Sequence, residues 1–311
     1  MSHIALLLTH NFNLKTRGSL FGVGMIRVGR PYFSDDDISE ILSGIASVLR
    51  SGWLTSGIFV ERFEREFSSL IGTKYAVALN SGTAALHAIL SAINLKPDDE
   101  VIVPANTFIS TVNAVLYVGA KPVLADCDID TFNVTAETIE GSLSPKTKAV
   151  IITHVGGNPC EMDEIVKLCQ ERGLTLIEDA AHAHGSKYRG RFCGTFGLAN
   201  AFSFYPTKVI TSGEGGMVTT ESREIYEYVR TFRNVGRREV GHGPIVMLGY
   251  NYRMSDIHAI IGLNQLKYLL EFVRKRNEIA KIYNEEIEKI EWIEPQRIYA
   301  HSTSSYYAYI V

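Results

Sequence analysis

Apolar residues along this chain follow two rhythms. From 34 to 71 they recur every three or four positions: Ile38, Ile41, Leu42, Ile45, Val48 and Leu49, then Val60, Phe63, Phe67, Leu70 and Ile71. That spacing gathers them on one face of each of two predicted helices. Ser34 precedes the first helix, and Asp35, Asp36 and Asp37 fill its opening turn. A side-chain oxygen there caps free N–H groups, and negative charge meets the positive end of the dipole. From 75 onward the rhythm changes to short β-rich runs, at 75–79, 101–103, 122–125, 149–153, 174–177, 201–204 and 217–220. Several are continuously apolar, as strands buried on both faces must be. Helical segments separate them, so the connections are crossovers and the predicted sheet is mainly parallel.

After about residue 235 the alternation stops. A long helical stretch is predicted over 255–287, carried by Ile257, Ile260, Ile261, Leu266, Leu269, Leu270 and Val273. Residues 305–311 read as a strand, and the chain stops inside it. A last strand needs neighbours, so either it pairs back or the chain is a fragment. The expected organisation is an N-terminal extension over 1–24, a large α/β domain over 25–235, and the start of a smaller, incomplete α+β domain over 236–311. Met25 is a candidate natural start.

Composition narrows the class. The chain has 311 residues, 46% hydrophobic and 21% charged, which suits an ordinary globular protein with a large core. Disorder, collagen and a small disulfide scaffold are excluded. The net charge of −3, from 31 basic and 34 acidic residues, gives no footprint for nucleic acid. No stretch has the length of a membrane span, and the short apolar run 4–8 lacks a basic leader and a cleavage site. Cys127, Cys160, Cys169 and Cys193 are spaced by 33, 9 and 24 residues, which fits no zinc or redox pattern. Reduced thiols in the cytoplasm are expected.

Three constellations carry chemistry. The first is a strand, a tight turn and a helix start at Asn80-Ser81-Gly82-Thr83-Ala84. Free N–H groups and the dipole at such a helix start suit a phosphate. Alone, it is equally an ordinary strand-to-helix turn with a Ser or Thr cap. The second is Glu178-Asp179-Ala180-Ala181-His182-Ala183-His184-Gly185, two acids and two histidines at a strand end, where α/β sheets bind ligands. A metal cluster of Asp179, His182 and His184 is one reading; a hydrogen-bonded acid with packed histidines is the plainer one. The third is Ser203 to Lys208, followed by Gly213-Glu214-Gly215-Gly216. A lysine just after a buried strand is either a solvated loop residue or covalently used.

Together the three supply a phosphate cup, an acid at a strand end, and a lysine 29 residues beyond that acid. Pyridoxal phosphate needs this set: a lysine for its aldehyde, a carboxylate for its ring nitrogen, and donors for its phosphate. Phe108, after the run 101–103, is a candidate to cover the ring; packing in the core is its other reading.

Here the chain resembles the DegT/DnrJ/StrS family of sugar aminotransferases, which share the type I fold of aspartate aminotransferase. The carriers are Asn80 to His87, Pro104-Ala105-Asn106-Thr107-Phe108, Glu178 to Gly185, Ser203 to Lys208 with Gly213 to Gly216, and Gly249-Tyr250-Asn251-Tyr252-Arg253-Met254. The resemblance implies that Lys208 is the Schiff-base lysine and proton shuttle, and that Asp179 partners the ring nitrogen. It implies that Ser81, Gly82, Thr83 and Ser203 hold the phosphate and that Phe108 stacks on the ring. His182 falls where many relatives carry glutamine near the phenolic oxygen. Asn251 matches an asparagine that reaches the neighbouring subunit's cofactor, which implies a homodimer. Relatives with histidine at the lysine position are dehydratases, so Lys208 favours transamination.

The implied activity is transfer of an amino group from an amino acid, glutamate in most relatives, to a nucleotide-linked keto-sugar. Two readings stand beside it: another pyridoxal enzyme, and a non-catalytic regulatory or binding member of the fold. An amino-acid transaminase needs an arginine for a second carboxylate. Arg233, Arg237, Arg238 and Arg253 are candidates; the first three are expected at a solvated helix end, and Arg253, beside Asn251, is the one to watch. A desulfurase needs a reactive cysteine, and none sits in an evident electropositive loop. The loop 53–57 is expected to bear on sugar specificity.

Overall fold

A computed structural model describes residues 29–239 and 243–311; the predicted extension 1–24 lies outside them. Ser34 Oγ accepts the Asp37 N–H at 3.1 Å, and Asp37 Oδ2 accepts the Ser34 N–H at 2.8 Å. This reciprocal cap starts α1, Asp35–Ser51. Ile41 and Val48 of its apolar face are buried, whereas Ile38, Leu42 and Leu49 are exposed. Periodicity decides which residues share a face; only packing decides how much of that face is covered. The second helix, α2 (Ile58–Ile71), buries Val60, Phe63, Phe67 and Ile71.

The next elements follow in order: β1 (Tyr75–Leu79), α3 (Gly82–Ala92), β2 (Glu100–Pro104), α4 (Ile109–Tyr117), β3 (Lys121–Ala125), α5 (Ala136–Glu140), β4 (Thr147–Thr153), α6 (Met162–Arg172) and β5 (Thr175–Asp179). A short hairpin, β6 (Lys187–Tyr188) and β7 (Arg191–Phe192), precedes β8 (Ala199–Ser203), β9 (Gly216–Thr220) and α7 (Arg223–Arg233). The hairpin turns at Arg189 and Gly190, both at positive φ, as a two-residue turn of matching twist requires. Seven strands make one sheet in the order β1-β9-β8-β5-β4-β2-β3. It is mainly parallel, as the sequence predicts; β9 alone is antiparallel to its neighbours β1 and β8.

Both faces of the sheet are covered, which explains the unbroken apolar runs. Val77, Leu79, Val101, Val103 and Ile151 join one core with α3, α4 and α7. Their neighbours point the other way. Ala76 and Ala78 share a second core with Phe63 and Phe67 of α2 and with Phe202 and Phe204, and Ile102, Val150 and Ile152 meet α6.

The end of the chain departs from expectation. The stretch 255–287 is two helices, α8 (Asp256–Leu266) and α9 (Leu269–Ile287). At the break, Lys267 Nζ pairs with Glu40 at 2.6 Å and Tyr268 Oη donates to Asp37 Oδ1 at 2.9 Å. No glycine or proline marks the place, so periodicity runs through it. Nor is 305–311 a strand. The last strand, β10 (Ser302–Thr303), pairs with β6. Beyond it, the Ser305 and Ala308 N–H groups donate to the carbonyls of Gly157 and Gly156. Those glycines stand at φ 91° and 68°, and Tyr306 at 45°, so no regular ladder can form. Residues Pro31–Val311 form one compact unit.

Candidate active site

Of the predicted site residues, all but Asn251 line one cavity of about 520 Å³ at the carboxyl ends of the strands. Ser81, between β1 and α3, caps the helix: its Oγ accepts the Ala84 N–H at 3.1 Å. The N–H groups of Gly82 and Thr83 head the same helix. A Cβ on Gly82 would lie 2.8 Å from Ser203 Cβ, and one on Gly216 would strike the Ser81 carbonyl. Glycine at both positions therefore lets the helix start lie against the ends of β8 and β9. Thr83 Oγ1 shares a 2.7 Å hydrogen bond with Ser110 Oγ.

Strand alternation separates the two acids. Asp179 ends β5, is buried, and faces the cavity. Its Oδ2 accepts from Thr111 Oγ1 at 2.7 Å and its Oδ1 from the Ala181 N–H at 3.1 Å. Thr107 Oγ1 lies 2.8 Å from Thr111 Oγ1 and 2.9 Å from Thr153 Oγ1, extending a chain of hydroxyls behind the acid. Burial pushes the Asp179 carboxyl above its ordinary range, against the pull of Thr111, Ala181 and Lys208. Glu178 points to the opposite side and accepts from His154 Nε2 at 2.9 Å and from the N–H groups of Gly194, Phe196 and Gly197. Burial works against its anion, but His154 and these N–H groups hold its carboxyl below the usual range.

Lys208 is half-buried, with Nζ 4.5 Å from the centroid of the Tyr307 ring. Burial pulls its amine below the usual range, and Tyr307 and Asp179 oppose that. His182 stacks on the same tyrosine at 4.2 Å and 19°. Its Nδ1 is buried with no partner among the described residues. Burial, then Lys208, pulls its pKa down to about 3, so the ring is neutral near pH 7. His184 turns away, against Phe202 and Phe204. Among the described residues no group of three His, Cys, Asp or Glu could hold a metal ion. Phe108 lines the cavity rim and is 65% exposed, which removes the core-packing reading.

Other sequence expectations fare differently. Asn251 is exposed and outside this cavity; its carbonyl accepts from Asn80 Nδ2 at 3.4 Å. Arg233 is not at a solvated helix end. It is buried and bonded to Glu64 and the Ala78 carbonyl, because the α7 end is covered by α2 and β1. Arg253 donates to Asn234 Oδ1 at 3.1 Å, and no arginine lines the cavity among the described residues. The loop 53–57 lies against 254–256, away from the cavity. Burial pushes the Cys160 and Cys193 thiols up, and Cys169 to about 11, so none is a ready thiolate. Two residues escape sequence reasoning: Thr111, which is fully buried and bonded to Asp179, and Tyr307, which lines the cavity. Thr111 lies inside a helix, and Tyr307 is 99 positions from Lys208; nothing local signals either.

A phosphate-ready helix start, a buried acid and a half-buried lysine now share one cavity. The DegT/DnrJ/EryC1/StrS aminotransferase family model matches residues 35–311. The chain belongs to this family. It is 42% identical to GDP-perosamine synthase of Escherichia coli O157:H7 over 246 residues, 78% of this chain and 67% of that protein. It is 40% identical to the spore coat polysaccharide biosynthesis protein SpsC of Bacillus subtilis over 270 residues, 84% of this chain and 68% of that one. Among solved structures, the aminotransferase TlmJ from Streptoalloteichus hindustanus superposes with a TM-score of 0.86 at 34% identity, covering 92% of this chain and 78% of that chain.

This aminotransferase is therefore a pyridoxal 5′-phosphate enzyme of the type I fold. Its cavity fits that group on its own terms. Asp179 is a carboxylate that burial raises above its ordinary range, and a protonated ring nitrogen beside it would favour its charged form. The close approach permitted by Gly82 and Gly216 holds the start of α3, with Ser81, Gly82 and Thr83, in the cavity wall, where its free N–H groups suit a phosphate. The unpartnered Nδ1 of His182 leaves a ring atom free for a polar group of the cofactor.

Proposed function

We propose that this aminotransferase moves an amino group from glutamate to the keto group of a nucleotide-linked sugar. The name of the perosamine relative supports the nucleotide-linked acceptor. The observation that carries the reading is the convergence of Lys208, Asp179 and the start of α3 on one cavity with no arginine among its described lining.

When bound, pyridoxal phosphate supplies an aldehyde that exchanges amines and a ring that draws off the electrons of a breaking C–H bond. In this proposal Lys208 holds the cofactor through Nζ at rest. Once displaced, its amine takes the α-proton of the donor, and its lowered affinity for protons in a buried site suits that task. Asp179 stays ionised beside the ring nitrogen, fixed by Thr111 and the Ala181 N–H. Ser81, Gly82, Thr83 and Ser203 bind the phosphate at the positive end of α3. His182 holds the phenolic side as a neutral ring, and Phe108 covers the exposed face. Asn251, exposed and outside its own cavity, serves the site of a second subunit in a homodimer. Division into a cofactor domain over 25–235 and the start of a smaller one over 236–311 belongs to the same proposal; within the described cavity only Tyr307 comes from beyond 235. So does a cytoplasmic setting, which four free thiols suit.

The test is spectroscopic. The enzyme loaded with pyridoxal phosphate should be yellow, glutamate should bleach it, and a nucleotide-linked keto-sugar should restore the colour. Lys208→Ala should lose the band and all turnover. Normal turnover by that variant would sink the assignment of Lys208, and colour that glutamate leaves unchanged would reject glutamate as donor.

A further inference from the structure

The segment 304–309 is held from several sides. Arg276 of α9 is part-buried and donates to the carbonyls of Tyr306 and Tyr307, at 2.8 and 3.4 Å. Asn277 Nδ2 donates to the Ser304 carbonyl at 2.8 Å, and Tyr309 Oη donates to Asn284 Oδ1 at 2.6 Å. From the opposite side Ser305 Oγ donates to the His182 carbonyl at 2.8 Å, and the Ser305 N–H to Ser186 Oγ at 3.0 Å. Tyr306 sits at φ 45°, a conformation that costs a bulky residue energy and persists only when its surroundings impose it. The result is a turn that delivers the Tyr307 ring to His182 and to Lys208 Nζ. Its hydroxyl is 3.3 Å from Thr207 Oγ1.

We infer that Tyr307 is a positioning residue that seats the free Lys208 side chain as its ammonium, and that Arg276 fixes Tyr307 for this role. This rests on the reading of Lys208 as the proton-moving group and adds where its proton is kept. The neutral amine takes up one proton, and nothing else leaves or joins it. A cation over an aromatic face is favoured by the ring quadrupole, more so where water is excluded. Without such a seat, burial alone would disfavour the charged amine. The other groups around Lys208 are the Tyr307 hydroxyl and Asp179, which also favour the ammonium, and Glu214 at the cavity wall. His182 and His184 are neutral near pH 7, and Arg276 faces Tyr307 from α9.

The experiment uses the full chain loaded with pyridoxamine phosphate, which cannot bond to lysine. Acetic anhydride labelling of Lys208 is followed against pH by peptide mass spectrometry, with surface lysines as internal standards. Tyr307→Met fills the space without a ring, so the labelling midpoint of Lys208 should fall by roughly half to one pH unit. Tyr307→Phe keeps the ring and should retain most of the wild-type midpoint. Arg276→Met should move it in the same direction as Tyr307→Met, by less. A midpoint in Tyr307→Met equal to or above that of the wild type, in protein with unchanged surface-lysine labelling, overturns the inference. Failure of the Lys208 reading shows separately: borohydride reduction of the wild-type pyridoxal form would then leave the cofactor on a residue other than Lys208.

Discussion

Thr111→Val tests the acid site without touching the acid. The side chains are nearly equal in volume, and Thr111 is fully buried, so the change deletes one hydroxyl and little else. That hydroxyl donates to Asp179 Oδ2 at 2.7 Å. A hydrogen bond to a buried charged group is worth about 1.5–3 kcal/mol, or roughly one to two pH units of carboxyl affinity for its proton. Burial already raises Asp179, and Thr111 opposes burial, so the loss raises it further. A protonated Asp179 cannot hold the charge of the ring nitrogen. The acid limb of the glutamate half-reaction, followed by stopped-flow absorbance, should therefore move to higher pH by about one unit. The rate below that limb should fall about tenfold, since 1.4 kcal/mol is a factor of ten. Thr111→Ser should keep the wild-type limb. An unshifted limb and a rate within twofold in Thr111→Val would refute the claim that this hydroxyl keeps Asp179 ionised.

Gly82→Ala places a Cβ 2.8 Å from Ser203 Cβ, so α3 must retreat; thermal unfolding should show a loss of about 1–3 kcal/mol, and cofactor titration a weaker affinity. Lys208→Ala and Asn251→Ala should each be inactive, yet mixing them after subunit exchange should restore measurable turnover, because one hybrid site then has Lys208 from one chain and Asn251 from the other; no recovery would argue against a shared site. Burial works against the Asp37 anion, but Ser34, Asn264 and Tyr268 hold its carboxyl down at about 2. Its stabilisation is therefore present above pH 4 and lost as pH falls through 2. Asp37→Asn should lower stability at pH 7 by about 1–3 kcal/mol in urea unfolding, with the gap to wild type closing toward pH 2.

Local physics made most of the frame legible in the sequence. Strands buried on both faces must be apolar throughout, so β1, β2, β4 and β8 announce themselves, and a Ser followed by acids marks the start of α1 whatever the rest of the chain does. Lys208, Asp179 and the Gly82 turn were visible because each lies at a strand end, where the fold leaves backbone free to meet a ligand. What tertiary structure decided are the matters of pairing. It split 255–287 at Lys267 and Tyr268, whose partners lie on α1, more than two hundred residues earlier. It buried Arg233 against Glu64, where helix-end statistics expect solvent. It turned 305–311 out of a strand, because the backbone waiting for it carries two glycines at positive φ. That same turn brings Tyr307 to Lys208, and strand alternation turns Asp179 toward Thr111 of α4 while sending Glu178 away. Such contacts join residues far apart in the chain, and no local pattern records which distant surface a side chain will meet.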